Sequence, residues 1–138
     1  MTDWKWLSST YRLQSETYDY PLEFFARGAR PGALAQEAGP LARYIEWNMF
    51  AAFVELAEAS VEFSWKPWAV DLPFVNRERV IDEIIDANHF LGNILVGVGC
   101  TDKEYEERYQ AKQEKNRQRV ESGTYSAKKG GLGEGSDV

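Results

Sequence analysis

Glu55 and Glu58 stand three residues apart in one apolar run, and Glu83 and Asp86 stand three apart in the next. Each spacing puts two carboxylates on the same face of a helix. Where two such helices meet, four carboxylates repel one another and lose solvation unless a cation neutralises them. Oxygen-only ligands at this density fit Mg²⁺, which in enzymes commonly holds substrate phosphates. A solvated helix face is the ordinary fate of paired acids. Here, however, Glu55 is flanked by Phe53, Val54, Leu56 and Ala57, and Asp86 by Ile84, Ile85 and Ala87. Neither pair has a Lys or Arg four residues later to make a surface ion pair. Asp82 reads as a solvated acid nearby, and Glu62 is open to either role.

The elements that must position these acids follow from periodicity. Residues 3–18 read as a helix with Trp4, Leu7, Tyr11 and Tyr18 near one face, ended by Pro21. Residues 21–39, rich in Gly and Pro, read as a loop with a short helical turn at 34–37. A second helix is expected over 41–63, with Ile45, Phe50, Phe53, Leu56, Ala57 and Val61 marking its apolar face and Pro40 in its first turn. Trp65-Lys66-Pro67-Trp68 stops it. A third runs from about 76 to 97, with Val80, Ile81, Ile84, Ile85, Phe90, Leu91, Ile94, Leu95 and Val98 expected to be buried. Thr101 and Glu104 have capping-box spacing and open a charged fourth helix to about 121. The expected class is all-α: one domain over 1–125 and a flexible tail over 126–138, where glycine and charge leave nothing to pack.

Composition narrows the functions. A net charge of −6 argues against a general nucleic-acid binder but not against a nucleotide held through Mg²⁺. Cys100 is the only cysteine, so no intramolecular disulfide forms. No apolar stretch is long enough for a signal peptide or a membrane span, and a cytoplasmic protein is expected.

Around the acids the residues form three ordered motifs. Residues 55–68 read Glu-Leu-Ala-Glu-Ala-Ser-Val-Glu-Phe-Ser-Trp-Lys-Pro-Trp, and residues 83–90 read Glu-Ile-Ile-Asp-Ala-Asn-His-Phe. Further on come Tyr109, Lys112, Asn116, Arg119, Gly123 and Tyr125. This order resembles the dimeric all-α dUTPases of the MazG-like nucleoside triphosphate pyrophosphohydrolase superfamily, over about residues 41–125, and looks like a compact, phage-type member. For a phage-encoded chain the compartment would be the host cytoplasm.

The resemblance implies a helical bundle whose core is completed by a second subunit. It implies that Glu55, Glu58, Glu83 and Asp86 ligate two or more Mg²⁺ ions, with Mn²⁺ able to substitute. Glu55 would be the catalytic base, and the products a nucleoside monophosphate and pyrophosphate. Lys66, Lys112 and Arg119 become candidates for phosphate contacts, and Asn116 and His89 for the sugar or base. Trp68 and Phe90 would pack around the base, and Tyr125 would close over the site. Without the resemblance, a lone helical histidine is ordinarily structural, exposed cations are ordinarily solvated, and aromatics at helical spacing are ordinarily core.

The base-reading residues depart from the family pattern. Gln14 stands near the expected glutamine, but Tyr18 stands where the family has an asparagine, and Asn48 is the candidate substitute. The leading expectation is therefore Mg²⁺-dependent hydrolysis of dUTP, serving pool sanitation and dUMP supply. A relative acting on dCTP or a purine nucleotide is the alternative, and a non-catalytic helical dimerisation module is a second. The expected assembly is a homodimer, with a tetramer the other option, and with neither nucleic acid nor membrane as partner.

Overall fold

The computed structural model describes residues 5–70 and 74–123, and every described element is helical. The expectations for Trp4, Tyr125 and the 126–138 tail fall outside those residues. The chain divides into two units after Asp102.

In the first unit, α1 (Trp6–Arg12) runs directly into a π-helical turn, Leu13–Thr17. Its buried stripe is Leu7, Thr10 and Gln14, not the expected Leu7, Tyr11 and Tyr18; both tyrosines are exposed. Two causes produce this difference. Gly92 lets α1 approach closely, since a Cβ there would lie 3.1 Å from the Trp6 indole and 3.2 Å from Thr10 Oγ1. The π turn then changes the angular register, so a 3.6-residue extrapolation past residue 13 points to the wrong face. The N-terminus of α1 has no cap of its own. Asp102 supplies one from a distance: Oδ1 accepts the Leu7 N–H at 2.8 Å, and Oδ2 accepts the Ser8 N–H at 2.9 Å and the Ser8 hydroxyl.

The stretch read as a loop contains a second helix, α2 (Leu22–Gly28), anchored by buried Leu22 and Phe25. Two apolar anchors in seven residues give too short a period to stand out beside the following Gly and Pro residues. Gly28 is required by contact: a Cβ there would sit 2.4 Å from the Glu37 carbonyl oxygen. α3 (Ala35–Ser60) starts before Pro40 rather than after it. Pro40 lies in its second turn, where the ring's fixed φ suits a helix and one backbone hydrogen bond is forfeited.

α4 (Arg77–Gly97) matches its expected span closely and is capped by Asn76, whose side chain accepts the Arg79 N–H. It runs antiparallel to α3. Gly97 lies against the Tyr44 ring, Asn93 bonds Asn48, Phe90 meets Trp47 edge-on, Glu83 approaches Glu55, and Arg79 pairs with Glu62.

The residues in this seam correct a second expectation. α3 buries Leu41, Tyr44, Asn48, Ala52 and Ala59, and α4 buries Ala87, Gly92, Asn93, Val96 and Gly97. The bulky residues expected inside are largely outside in a single chain: Phe50, Phe53, Leu56 and Val61 on or just beyond α3, and Ile81, Ile84, Ile85, Leu91 and Val98 along α4. Small residues in the seam let the two backbones come close. That leaves the large side chains as an uncovered apolar face.

The second unit is built on α5 (Asp102–Glu121), which buries none of its residues. Its polar surface is laced by exposed ion pairs such as Arg108–Glu104 and Arg117–Glu114. Tyr105 and Tyr109 stack at 6.0 Å between centroids. Helical spacing places Lys112, Asn116 and Arg119 on the same stripe as these two rings.

Candidate active site

Glu55 enters the seam because it occupies a core position. The stripe 41, 44, 48, 52, 55, 59 follows helical periodicity, and every member except Glu55 is buried. On α4, Glu83 lies one turn before buried Ala87 on the equivalent face. Antiparallel packing thus brings Glu55, Glu58 and Glu83 together, with one carboxylate oxygen from each lying within 4.8 Å of the others. Asp86 falls outside this tight trio, on the exposed side, yet its charge still reaches Glu55.

The electrostatic consequence is concentrated on one group. Glu55 is pushed up from an ordinary 4.5 to about 7. Desolvation at the seam is the largest cause, followed by the Glu58 charge and a hydrogen bond with Glu58, then the Asp86 charge and a hydrogen bond with Glu83. A carboxyl so placed holds a proton near neutrality, or releases it to a cation.

The donor set fits a divalent metal. All the ligand atoms are carboxylate oxygens, the preference of Mg²⁺, and an octahedron with bonds of about 2.0–2.1 Å spans roughly 2.9–4.2 Å between oxygens. The three carboxylate oxygens, all within 4.8 Å of one another, are gathered closely enough to share one such ion.

Sequence reasoning missed Arg79. Its Nε lies 3.3 Å from Glu62 Oε1, and another guanidinium nitrogen lies 3.9 Å from Glu83 Oε1. The available signal is its spacing, four residues before Glu83, which suits an ion pair on one helix face. This pairing also settles the geometry of Glu62, which is tied to Arg79 at the edge of the cluster.

Farther along the seam from the acids, a cavity of about 380 Å³ opens between the α1 segment and α4. Thr10, Leu13, Gln14, Tyr18, Tyr20, Trp47, His89, Phe90 and Asn93 line it. Seven residues separate Asn48 from Glu55, so the two rungs lie about 10 Å apart along the helix. His89 joins the two regions: it lines the cavity, and its Nδ1 is 3.9 Å from Asp86 Oδ1.

Gln14, His89 and Phe90 come together at the cavity. Tyr18, which stands where the family pattern has an asparagine, lines it as well. Asn48 is fully buried behind the wall, donating to the Tyr44 carbonyl and accepting from Asn93. Asn93 and Trp47 are wall residues that sequence reasoning did not single out. An asparagine inside Phe90-Leu91-Gly92-Asn93-Ile94-Leu95 was the available signal for Asn93, because a polar group in an apolar run must find a partner.

Lys66 and Trp68 lie on the loop after α3 and do not line the cavity. Lys66 Nζ sits 5.3 Å from the Trp65 ring centroid, and Trp68 packs edge-on against Trp65 while remaining 75% exposed. Lys112, Asn116 and Arg119 belong to the second unit, where Arg119 contacts Asn116 at 3.4 Å.

Residues 33–121 match the profile of the family described as dUTPase, a stretch that spans α3, α4 and α5 and includes all four motif acids. No curated protein and no solved structure gives a significant match.

Proposed function

The chain belongs to the dUTPase family, and from that premise we propose that it hydrolyses dUTP to dUMP and pyrophosphate with Mg²⁺ held by Glu55, Glu58, Glu83 and Asp86. The observation that carries this reading is the Glu55–Glu58–Glu83 cluster beside a cavity of nucleoside dimensions. When bound, the cations supply neutralisation of the triphosphate charge and activation of a water molecule for attack at phosphorus. The chain's own residues do the rest. The cavity wall of Trp47, Phe90 and Tyr18 holds the base, and His89, which lines the cavity and approaches Asp86, marks where the sugar lies between base and acids.

Glu55 is the base. Its affinity for a proton near neutrality suits it to accept one from the attacking water as the bond between the α- and β-phosphates breaks and pyrophosphate leaves. Lys66, Lys112 and Arg119 are assigned to phosphate oxygens, Asn116 and His89 to the nucleoside, and Tyr125 to closure over it.

A homodimer is part of the proposal. Phe50, Phe53, Ile84 and Leu91 are each more than 40% exposed in one chain, and a second copy would cover them. Light scattering on the purified protein tests this directly, and a monomer at micromolar concentration would refute it.

The test of the activity is pyrophosphate release from a panel of dNTPs, with Mg²⁺ and with EDTA. dUTP is expected to turn over fastest and only with metal. Glu55→Gln and Asp86→Asn are expected to abolish turnover while helical content is unchanged. Faster turnover of dCTP or a purine nucleotide would replace the substrate and keep the site. Absence of metal-dependent turnover of any nucleotide would refute the enzyme.

A further inference from the structure

The orientation of the Asn93 amide in the cavity wall is fixed by a relay that starts at a backbone atom. The Tyr44 carbonyl oxygen can only accept, and it takes a hydrogen bond from Asn48 Nδ2 at 2.8 Å. That bond settles which end of the Asn48 amide is which, so Asn48 Oδ1 is the atom facing α4. It accepts from Asn93 Nδ2 at 2.9 Å. The carbonyl oxygen of Asn93 is thereby left over. Asn93 is only 6% exposed, and its Oδ1 has no partner among the described residues. Since no described buried side-chain oxygen or nitrogen is fully enclosed without a partner, this oxygen opens onto the cavity that Asn93 lines.

A separate bond involves the Tyr44 hydroxyl. It donates to Gln14 Oε1 at 2.6 Å, which leaves Gln14 Nε2 as the unpartnered end of a residue 5% exposed. The wall therefore presents an acceptor whose orientation the relay fixes, Asn93 Oδ1, and beside it a donor, Gln14 Nε2.

Resting on the dUTP reading above, we infer that Asn93 is the specificity-determining residue of the cavity and that its Oδ1 takes the N–H of an imide base edge, with Gln14 Nε2 donating to the adjoining carbonyl. Uracil offers that pair at N3–H and its neighbouring carbonyl. In the same pose, cytosine turns an unprotonated N3 toward Asn93 Oδ1, so two lone pairs face each other. Asn48 is a positioning residue: it touches no ligand, and it sets the polarity of Asn93.

The experiment compares wild type, Asn93→Ala and Asn93→Asp on two ligand pairs. Turnover is measured with dUTP and N3-methyl-dUTP, and binding with dUMP and N3-methyl-dUMP by calorimetry. Wild type is expected to prefer the unmethylated ligand by about 10⁴-fold, the scale for a site built to hydrogen-bond an N–H against an analogue lacking it. Asn93→Ala is expected to erase the preference by losing the unmethylated ligand rather than by gaining the methylated one, which separates hydrogen bonding from steric room. Asn93→Asp keeps an acceptor in place and should retain part of the preference. Unchanged kcat/KM for dUTP in Asn93→Ala would overturn the assignment while leaving the reaction standing. Selective dUMP binding without dUTP hydrolysis in wild type would refute the reaction while supporting Asn93.

Discussion

Asp102 stands far in sequence from the helix it caps, and its removal should loosen the wall of the cavity. In Asp102→Ala, the N–H groups of Leu7 and Ser8 and the Ser8 hydroxyl all lose their acceptor. A helix N-cap deletion costs about 0.5–2 kcal/mol, and hydrogen bonds to a charged group contribute about 1.5–3 kcal/mol each when buried. The Ser8 bonds are exposed and count for little, because water replaces the acceptor. The Leu7 bond is partly buried and counts for more. The expected loss is therefore about 2–3 kcal/mol for Asp102→Ala, and about 1 kcal/mol for Asp102→Asn, which keeps one acceptor without the charge. At roughly 2–5 °C per kcal/mol for a chain of this size, Asp102→Ala should melt on the order of 5–15 °C lower.

The acid dependence gives this prediction a second handle. Partial burial alone would raise the Asp102 pKa. The Ser8 hydroxyl, the Leu7 and Ser8 N–H groups and the nearby Lys5 charge outweigh it and hold the carboxyl below its usual range. A lowered folded-state pKa gives stability that is present above the unfolded value, near 3.9, and lost as pH falls through the folded one. Wild type minus Asp102→Asn should thus show a stability gap that is flat above about pH 5 and closes below about pH 4. The assay is urea unfolding at fixed protein concentration across pH, since oligomerisation would otherwise move the midpoint. A loss under 0.5 kcal/mol in Asp102→Ala, or a gap that does not close in acid, would refute the remote cap.

Two further outcomes follow from the acid cluster. Because folded Glu55 holds its proton up to about pH 7 and the unfolded chain releases it near 4.5, the folded state binds more protons between those values. Metal-free stability should therefore fall as pH rises across that window, Glu55→Gln should flatten the fall, and Mg²⁺ should offset it increasingly toward pH 7. Melting curves with EDTA and with Mg²⁺ check this, and a wild-type profile identical to that of Glu55→Gln would refute it. Arg79 supplies the positive charge beside Glu62 and Glu83, and its side chain is 60% exposed. Removing a partly solvated cation there should tighten Mg²⁺ binding by about 2–5-fold, the range of exposed ion-pair energies; calorimetric titration of Arg79→Ala that shows equal or weaker binding would contradict that electrostatic role.

The two long seam helices were legible in the sequence because each carries its apolar period over five or more turns, and the charged last helix because capping-box spacing opens it. The acid pairs were legible because apolar neighbours isolate them. What failed was the assignment of the inner face. Ranking positions by side-chain size put Phe50, Phe53, Ile84 and Ile85 inside, whereas the seam selects small residues that allow close backbone approach. A single sequence does not separate a face that buries within the chain from one shaped to be covered by another chain. The π turn at 13–17 was illegible for a different reason: one inserted residue in the hydrogen-bond pattern leaves no compositional mark.

The misreading of the inner face also explains why Asn48 was identified as a base-reading candidate and Asn93 was missed. Asn48 shares the stripe of Glu55, so spacing alone made it look like part of the site. That stripe is the seam itself, and at the Asn48 rung the seam is closed, leaving the side chain fully buried. At the Glu55 rung the same stripe opens enough to keep a carboxylate partly solvated. One helical face thus changes role along its length, from Tyr44 and Asn48, which fix hydrogen-bond polarity, to Glu55, whose charge is left for a cation. A substitution at Asn48 should accordingly alter which base is accepted before it alters metal binding. A substitution at Glu55 should do the reverse, although the two residues lie only two turns apart on one helix.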